Sequence, residues 1–128
     1  MRLLLHTYAF IWYTTDSSEL RIKGRSLIDS GENDILLSTA SVWEMAIKHS
    51  IGRLTFSMPF REFIKQQIAV NRIDILAITF DHIEVVASLP LHHRDPFDRL
   101  IIAQSMAEQI PILSVDAIVD ACVIARVW

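Results

Sequence analysis

The 128 residues carry 12 Lys and Arg against 15 Asp and Glu, a net charge of −3, and 52% of them are hydrophobic. This length suits one domain (1–128) that buries a core of its own, and the composition excludes a disordered or fibrous chain. The acidic balance argues against tight phosphate-driven binding along a long duplex. It leaves room for a small acidic pocket in which a metal ion meets phosphate.

In chain order, Leu3-Leu4-Leu5 is a short apolar run that reads as a buried strand. An aromatic helical turn follows over Tyr8 to Tyr13, then a polar loop from Thr14 to Ser18. Glu19 to Ser30 reads as an amphipathic helix with Leu20, Leu27 and Ile28 inward, stopped at Gly31. Ile35-Leu36-Leu37 is a second strand. Ser38 to Ser41 caps a helix whose inward stripe is read as Trp43, Ala46 and Ile47, ended by Gly52. Pro59 starts another helix, with Phe60, Phe63, Ile64 and Ile68 spaced for burial. Ile73 to Ile78 is a third strand, Asp81 to Ser88 a short helix and Leu89 to Arg94 a loop. Asp95-Pro96 is a strong helix start, an acidic cap followed by proline, for a helix reaching Glu108. Ile112-Leu113 is a fourth strand, and Val123 to Trp128 a fifth.

Apolar strands alternating with helices point to an α/β fold with a mostly parallel sheet. Cys122 is the only cysteine, so no internal disulfide forms and a multi-thiolate metal site is excluded; a reducing cytoplasm is the expected compartment. The N-terminus lacks a signal-peptide cleavage pattern, and no run approaches the roughly 18 apolar residues of a membrane span.

Ligands of such sheets sit beyond the carboxyl ends of the strands. There the chain places His6 after the first strand, Glu44 in the helix after the second, and Asp116 after the fourth. Asp98 lies in the first turn of the helix that leads to the fourth strand. Three acids and an imidazole can thus converge, and clustered carboxylates suit hard ions such as Mg²⁺ or Mn²⁺. Each residue also has a structural reading. Ser41-x-x-Glu44 fits a capping box, and Glu44 with Lys48 fits an i,i+4 pair. Asp95 and Asp98 suit a helix start, Asp116 a turn, and His6 a hydrogen-bonded histidine beside a core. His92-His93-Arg94 reads as a solvated loop. Trp12, Trp43 and Phe97 read as core or interface, and Cys122 as a small buried apolar residue.

The string Leu89 to Gln104, with Asp95-Pro96-Phe97-Asp98-Arg99-Leu100-Ile101-Ile102-Ala103-Gln104 as its specific part, resembles a signature of PIN-domain ribonuclease toxins of the VapC type. Leu3 to Trp12, Ser38 to Lys48, Ile112 to Asp116 and the terminal Val127-Trp128 resemble the family's other segments, in its order. The resemblance implies a three-layer α/β/α fold with four or five mostly parallel strands. It implies divalent-metal-dependent RNA cleavage by a toxin held in check by a VapB-like antitoxin, and a homodimer. Carried over, Glu44, Asp98 and Asp116 are the second, third and fourth acids, binding Mg²⁺ or Mn²⁺ and orienting the attacking water. Asp95 is then the helix cap, and Ser38 and Thr39 support the acids through hydrogen bonds. The family's first acid is an aspartate where this chain has His6, and Tyr8 stands where a histidine is usual. Imidazole is a poor Mg²⁺ ligand and a better one for Mn²⁺, Zn²⁺ or Co²⁺. An introduced change, a decayed toxin or a softer ion each account for His6. The expectation is lost or strongly reduced activity. The competing reading is a catalytically dead PIN domain that binds antitoxin or RNA.

Overall fold

The computed structural model describes residues 1–90, 95–115 and 126–128. Five parallel strands form one sheet: β1 (Arg2–Leu5), β2 (Asp34–Ser38), β3 (Ile73–Leu76), β4 (Ile112–Leu113) and β5 (Arg126–Val127), in the order β3-β2-β1-β4-β5. The helices between them are α1 (Thr7–Thr14), α2 (Ile22–Asp29), α3 (Thr39–Ser50), α4 (Phe60–Val70), α5 (Phe80–Ser88) and α6 (Pro96–Glu108). The expected α/β fold with a parallel sheet is therefore what the chain adopts.

Side chains alternate across a strand, so a run apolar at every position feeds two cores. Leu3, Leu5, Ile35, Leu37, Ile73 and Leu113 pack on one side of the sheet with Phe10, Leu20, Ile28, Met45, Phe63 and Ile64. Leu4, Leu36 and Ile112 pack on the other with Leu89, Ile101 and Ile102. That division makes the three layers, with α1, α2 and α4 on one face and α5 and α6 on the other.

In α3 the inward face is Ala40, Ser41, Glu44 and Met45, while Trp43 and Ile47 are 56% and 39% exposed. The helix also begins earlier than a capping box at Ser41 requires. Ser38 is the N-cap, its hydroxyl accepting from the Ala40 amide at 2.9 Å, which puts Ser41 inside the first turn. Strand β3 stops at Leu76, where β2 runs out of partners at Ser38, so Ala77 and Ile78 fall outside the ladder. Helix α2 begins at Ile22 rather than Glu19, because residues 17–20 form turns. Gly52 sits at φ +80°, a conformation that favours glycine, immediately after α3.

The parallel register brings the carboxyl ends of all strands to one edge. β1 lies between β2 and β4, so the chain leaves it toward β2 on one side while β4 flanks it on the other. This is the topological switch point where a crevice opens in such sheets.

Candidate active site

Four described segments meet at that crevice. His6 follows β1, and its amide donates to the Leu113 carbonyl of β4 at 3.0 Å, fixing it at the switch point. It is the N-cap of α1, with Nδ1 accepting from the Tyr8 amide at 3.4 Å. Since Nδ1 is the acceptor, the neutral ring carries its proton on Nε2. That nitrogen lies 2.8 Å from Asp98 Oδ1, and the two side chains are only 10% and 16% exposed. Asp98 reaches the crevice because α6 starts there. Asp95 Oδ1 caps the helix, accepting from the amides of Phe97 and Asp98 at 2.9 and 3.0 Å. Proline in the first turn needs no amide partner, and an acid there meets the positive end of the helix dipole.

The second half of the site is built by Thr7, Ser41, Glu44 and Lys48. Glu44 is 4% exposed, and each carboxylate oxygen has a partner within the chain. The Thr7 hydroxyl lies 2.7 Å from Oε1 and 2.9 Å from Ser41 Oγ. A hydroxyl has one proton, so Thr7 donates to the carboxylate and accepts from Ser41. Lys48 Nζ donates to Oε2 at 2.7 Å and to the Tyr8 hydroxyl at 2.9 Å, and stands 4.4 Å from the centre of the Tyr8 ring. Burial by itself lowers the lysine pKa, but the hydrogen bonds to Glu44 and Tyr8 and the charge of Glu44 outweigh it and hold the ammonium above its ordinary value.

The structure thus brings His6 and Asp98 into contact and sets Glu44 beside Thr7, the residue next to His6. Asp116 lies outside the described residues, as do His92, His93, Arg94 and Cys122. Ser38 and Thr39 serve the backbone instead of the acids: Ser38 caps α3 and Thr39 donates to the Leu76 carbonyl at 3.3 Å. Thr7 carries no motif of its own in the sequence; its place two residues past the end of β1 is the available signal. Lys48 was visible only as a helix-surface neighbour of Glu44.

The described donors do not fit a Mg²⁺ cage. That ion requires near-octahedral oxygen ligands at about 2.0–2.1 Å. Here one donor is an imidazole nitrogen already bonded to Asp98, and Glu44 is held by an ammonium and a hydroxyl. Among the described residues no three His, Cys, Asp or Glu side chains are grouped to hold an ion.

A family model for the PIN domain matches residues 3–124. Solved structures share the fold at low identity. The chain resembles one in the VapBC2 complex of Rickettsia felis bound to a promoter DNA fragment, with TM-score 0.75, 12% identity, and coverage of 99% of this chain and 98% of that one. It resembles one in VapBC-1 of nontypeable Haemophilus influenzae, with TM-score 0.68, 12% identity and coverage of 99% and 97%. For FitAcB of Neisseria gonorrhoeae the values are 0.67, 16%, and 97% and 95%. No curated protein sequence matches the chain.

Proposed function

The chain belongs to the PIN-domain family, and on that footing we propose that it is the toxin of a type II toxin–antitoxin pair, a VapC-type endoribonuclease whose cleavage is lost or strongly reduced by His6. The observation that carries this reading is the 2.8 Å bond between His6 Nε2 and Asp98. A carboxylate that has to hold a cation or steer a water is instead committed to a side chain of its own protein. Glu44 is committed in the same way to Lys48 and Thr7. Mg²⁺ or Mn²⁺ belongs to this proposal through the resemblance; with His6 in place, weak affinity is expected.

The partner proposed is a VapB-like antitoxin, together with a second copy of the chain. The fold shared with the VapBC and FitAcB complexes supports a toxin-type scaffold. Exposed apolar side chains supply material for contacts. Trp43 and Ile47 on α3 and Ile51 at its C-cap recur every four residues, and Phe80 and Ile83 stand out on α5. Among the described residues no helix is long and apolar enough to cross a membrane. A single cysteine accords with the cytoplasm as the proposed compartment.

The second reading, a PIN domain that binds antitoxin or RNA without cutting, draws on the same two pairings. Cleavage of a panel of structured and unstructured RNAs separates the two. The protein, His6→Asp and His6→Asp/Asp98→Asn are compared with Mg²⁺ and then Mn²⁺. Cleavage by His6→Asp alone supports a nuclease disabled at one position. Metal-dependent cleavage by the unmodified protein refutes the expected inactivity and makes His6 a ligand. Silence from all three favours the binding module.

A further inference from the structure

α5 and α6 lie antiparallel, and side chains tie them together at both ends. At one end the Arg99 guanidinium donates to the carbonyls of Val86, Leu89 and Pro90, each at 3.2 Å. At the other end stands His82, in the first turn of α5 and 1% exposed. Its Nε2 lies 3.2 Å from Oε2 of Glu108, the last residue of α6. Its Nδ1 accepts from the Thr79 amide at 3.0 Å, while the Thr79 hydroxyl accepts from the His82 amide at 3.4 Å. This is a reciprocal capping box in which an imidazole stands where Glu or Gln is usual. A second donor, Gln104 Nε2 on α6, reaches the same Nδ1 at 3.4 Å. That amide also meets the Leu76 and Ala77 carbonyls at the end of β3, at 3.4 and 3.5 Å.

Two N–H groups thus point at one ring nitrogen. They require a lone pair on Nδ1, so this arrangement holds the neutral Nε2–H tautomer, which donates to Glu108. A proton on Nδ1 turns the shared acceptor into a third donor that faces the other two. At this depth the lost bonds have no water to replace them. Gln104 Oε1 is the only buried side-chain polar atom without a partner among the described residues. It accepts from the new N–H once the amide turns over, and the turn gives up the bonds to Leu76 and Ala77. The bond to Glu108 survives, because both forms of the ring carry the Nε2 proton. The charged groups on the surrounding elements are Glu108 of α6, Arg2 of β1 at 3.6 Å from Glu108, Asp74 of β3, and Asp81 and Glu84 of α5 itself. Among the described residues, Glu108 alone of these bonds the ring.

We propose that His82 is a proton-operated latch on the first turn of α5. With the ring neutral, Nδ1 holds the Thr79 amide and the Gln104 side chain, and so ties α5 to α6 and to the end of β3. With the ring charged, both bonds are lost and the turn comes free of its cap. That turn carries Phe80, 82% exposed, and leads into Ile83, 54% exposed, so the apolar surface they form keeps a fixed shape only while the ring is neutral. The other end of the helix pair does not sense the proton, because the Arg99 guanidinium keeps its charge throughout. The latch is separate from the crevice at His6 and stands apart from the nuclease reading.

The test is nuclear magnetic resonance of the full chain, labelled with ¹⁵N, between about pH 8 and 5, the range in which imidazoles charge. The His82 ring nitrogens report its charge, and hydrogen exchange corrected for the intrinsic rate reports the protection of the Thr79 amide. Protection at Thr79 is expected to fall at least roughly fivefold, the weight of one hydrogen bond, in step with the charging of the His82 ring. In His82→Gln the side-chain oxygen accepts from the Thr79 amide, as Gln does in the ordinary capping box, and does not titrate. Protection is then expected to stay high across the range. His49→Gln, a change at an exposed histidine on α3, is expected to keep the fall. The proposal is overturned by a His82 ring that stays neutral at the acid end, by a ring that charges while Thr79 keeps its protection, or by a fall that persists in His82→Gln. Should His82→Gln fail to fold, the first two outcomes still decide it on the unmodified chain.

Discussion

Replacing His6 by aspartate changes both stability and its dependence on metal. In the unmodified protein an imidazole N–H donates to Asp98 at 2.8 Å, with both side chains largely buried. A hydrogen bond to a charged group contributes about 1.5–3 kcal/mol. His6→Asp removes it and sets a second carboxylate beside the first, so the loss in EDTA is ~3 kcal/mol. A chain of 128 residues unfolds with an entropy near 0.27 kcal/mol/K, which converts this loss to roughly 11 °C in Tm. The shorter side chain also opens space between two carboxylates for an ion with oxygen ligands at about 2.1 Å. With an affinity on the order of 1 mM, 10 mM Mg²⁺ returns ~1.4 kcal/mol, or about 5 °C. The unmodified protein moves by less than about 1 °C in the same titration. Thermal unfolding of both proteins in EDTA and across a Mg²⁺ series measures all of this. Equal Mg²⁺ shifts for the two, or a His6→Asp variant as stable in EDTA as its parent, would refute the pairing of His6 with Asp98 as a substitute for bound metal.

Two further predictions concern the flanking residues. Lys48→Ala leaves the buried Glu44 carboxylate with Thr7 alone and costs about 2 kcal/mol, discounted from the fully buried case because Lys48 is 23% exposed. Glu44→Gln/Lys48→Met removes both charges and recovers most of that loss; denaturant unfolding showing the double variant as unstable as the single one contradicts the argument. Tyr13 donates to Asp29 at 2.5 Å, and its pKa is pushed up to about 12, first by burial and then by that bond. Folding therefore favours the protonated phenol. Its contribution is complete below pH 10, the ordinary tyrosine value, and is lost as pH climbs toward 12. Alkaline difference absorbance is expected to show a late phenolate transition that vanishes in Tyr13→Phe; its survival in that variant assigns the shift to the wrong residue.

Much of the architecture was legible in the amino-acid order. Leu3-Leu4-Leu5, Ile35-Leu36-Leu37 and Ile112-Leu113 are apolar at every position, as a strand covered on both faces requires, and their shortness and alternation with capped helices point to the layered α/β fold. The start of α6 was equally plain, because a carboxylate cap and a proline each suit only one end of a helix. The inward face of α3 was not legible. Hydropathy favours burying Trp43 and Ile47, but the sheet brings Thr7 against this helix, and Ser41 and Glu44 turn inward to satisfy it. The pairing of His6 with Asp98 spans 92 positions of sequence, and Trp12 meets Trp128 edge-on from the far end of the chain. Local propensity has no access to such separations. They are decided by strand order, because β4 and β5 lie beside β1 and bring residues from opposite ends of the chain to one edge of one sheet.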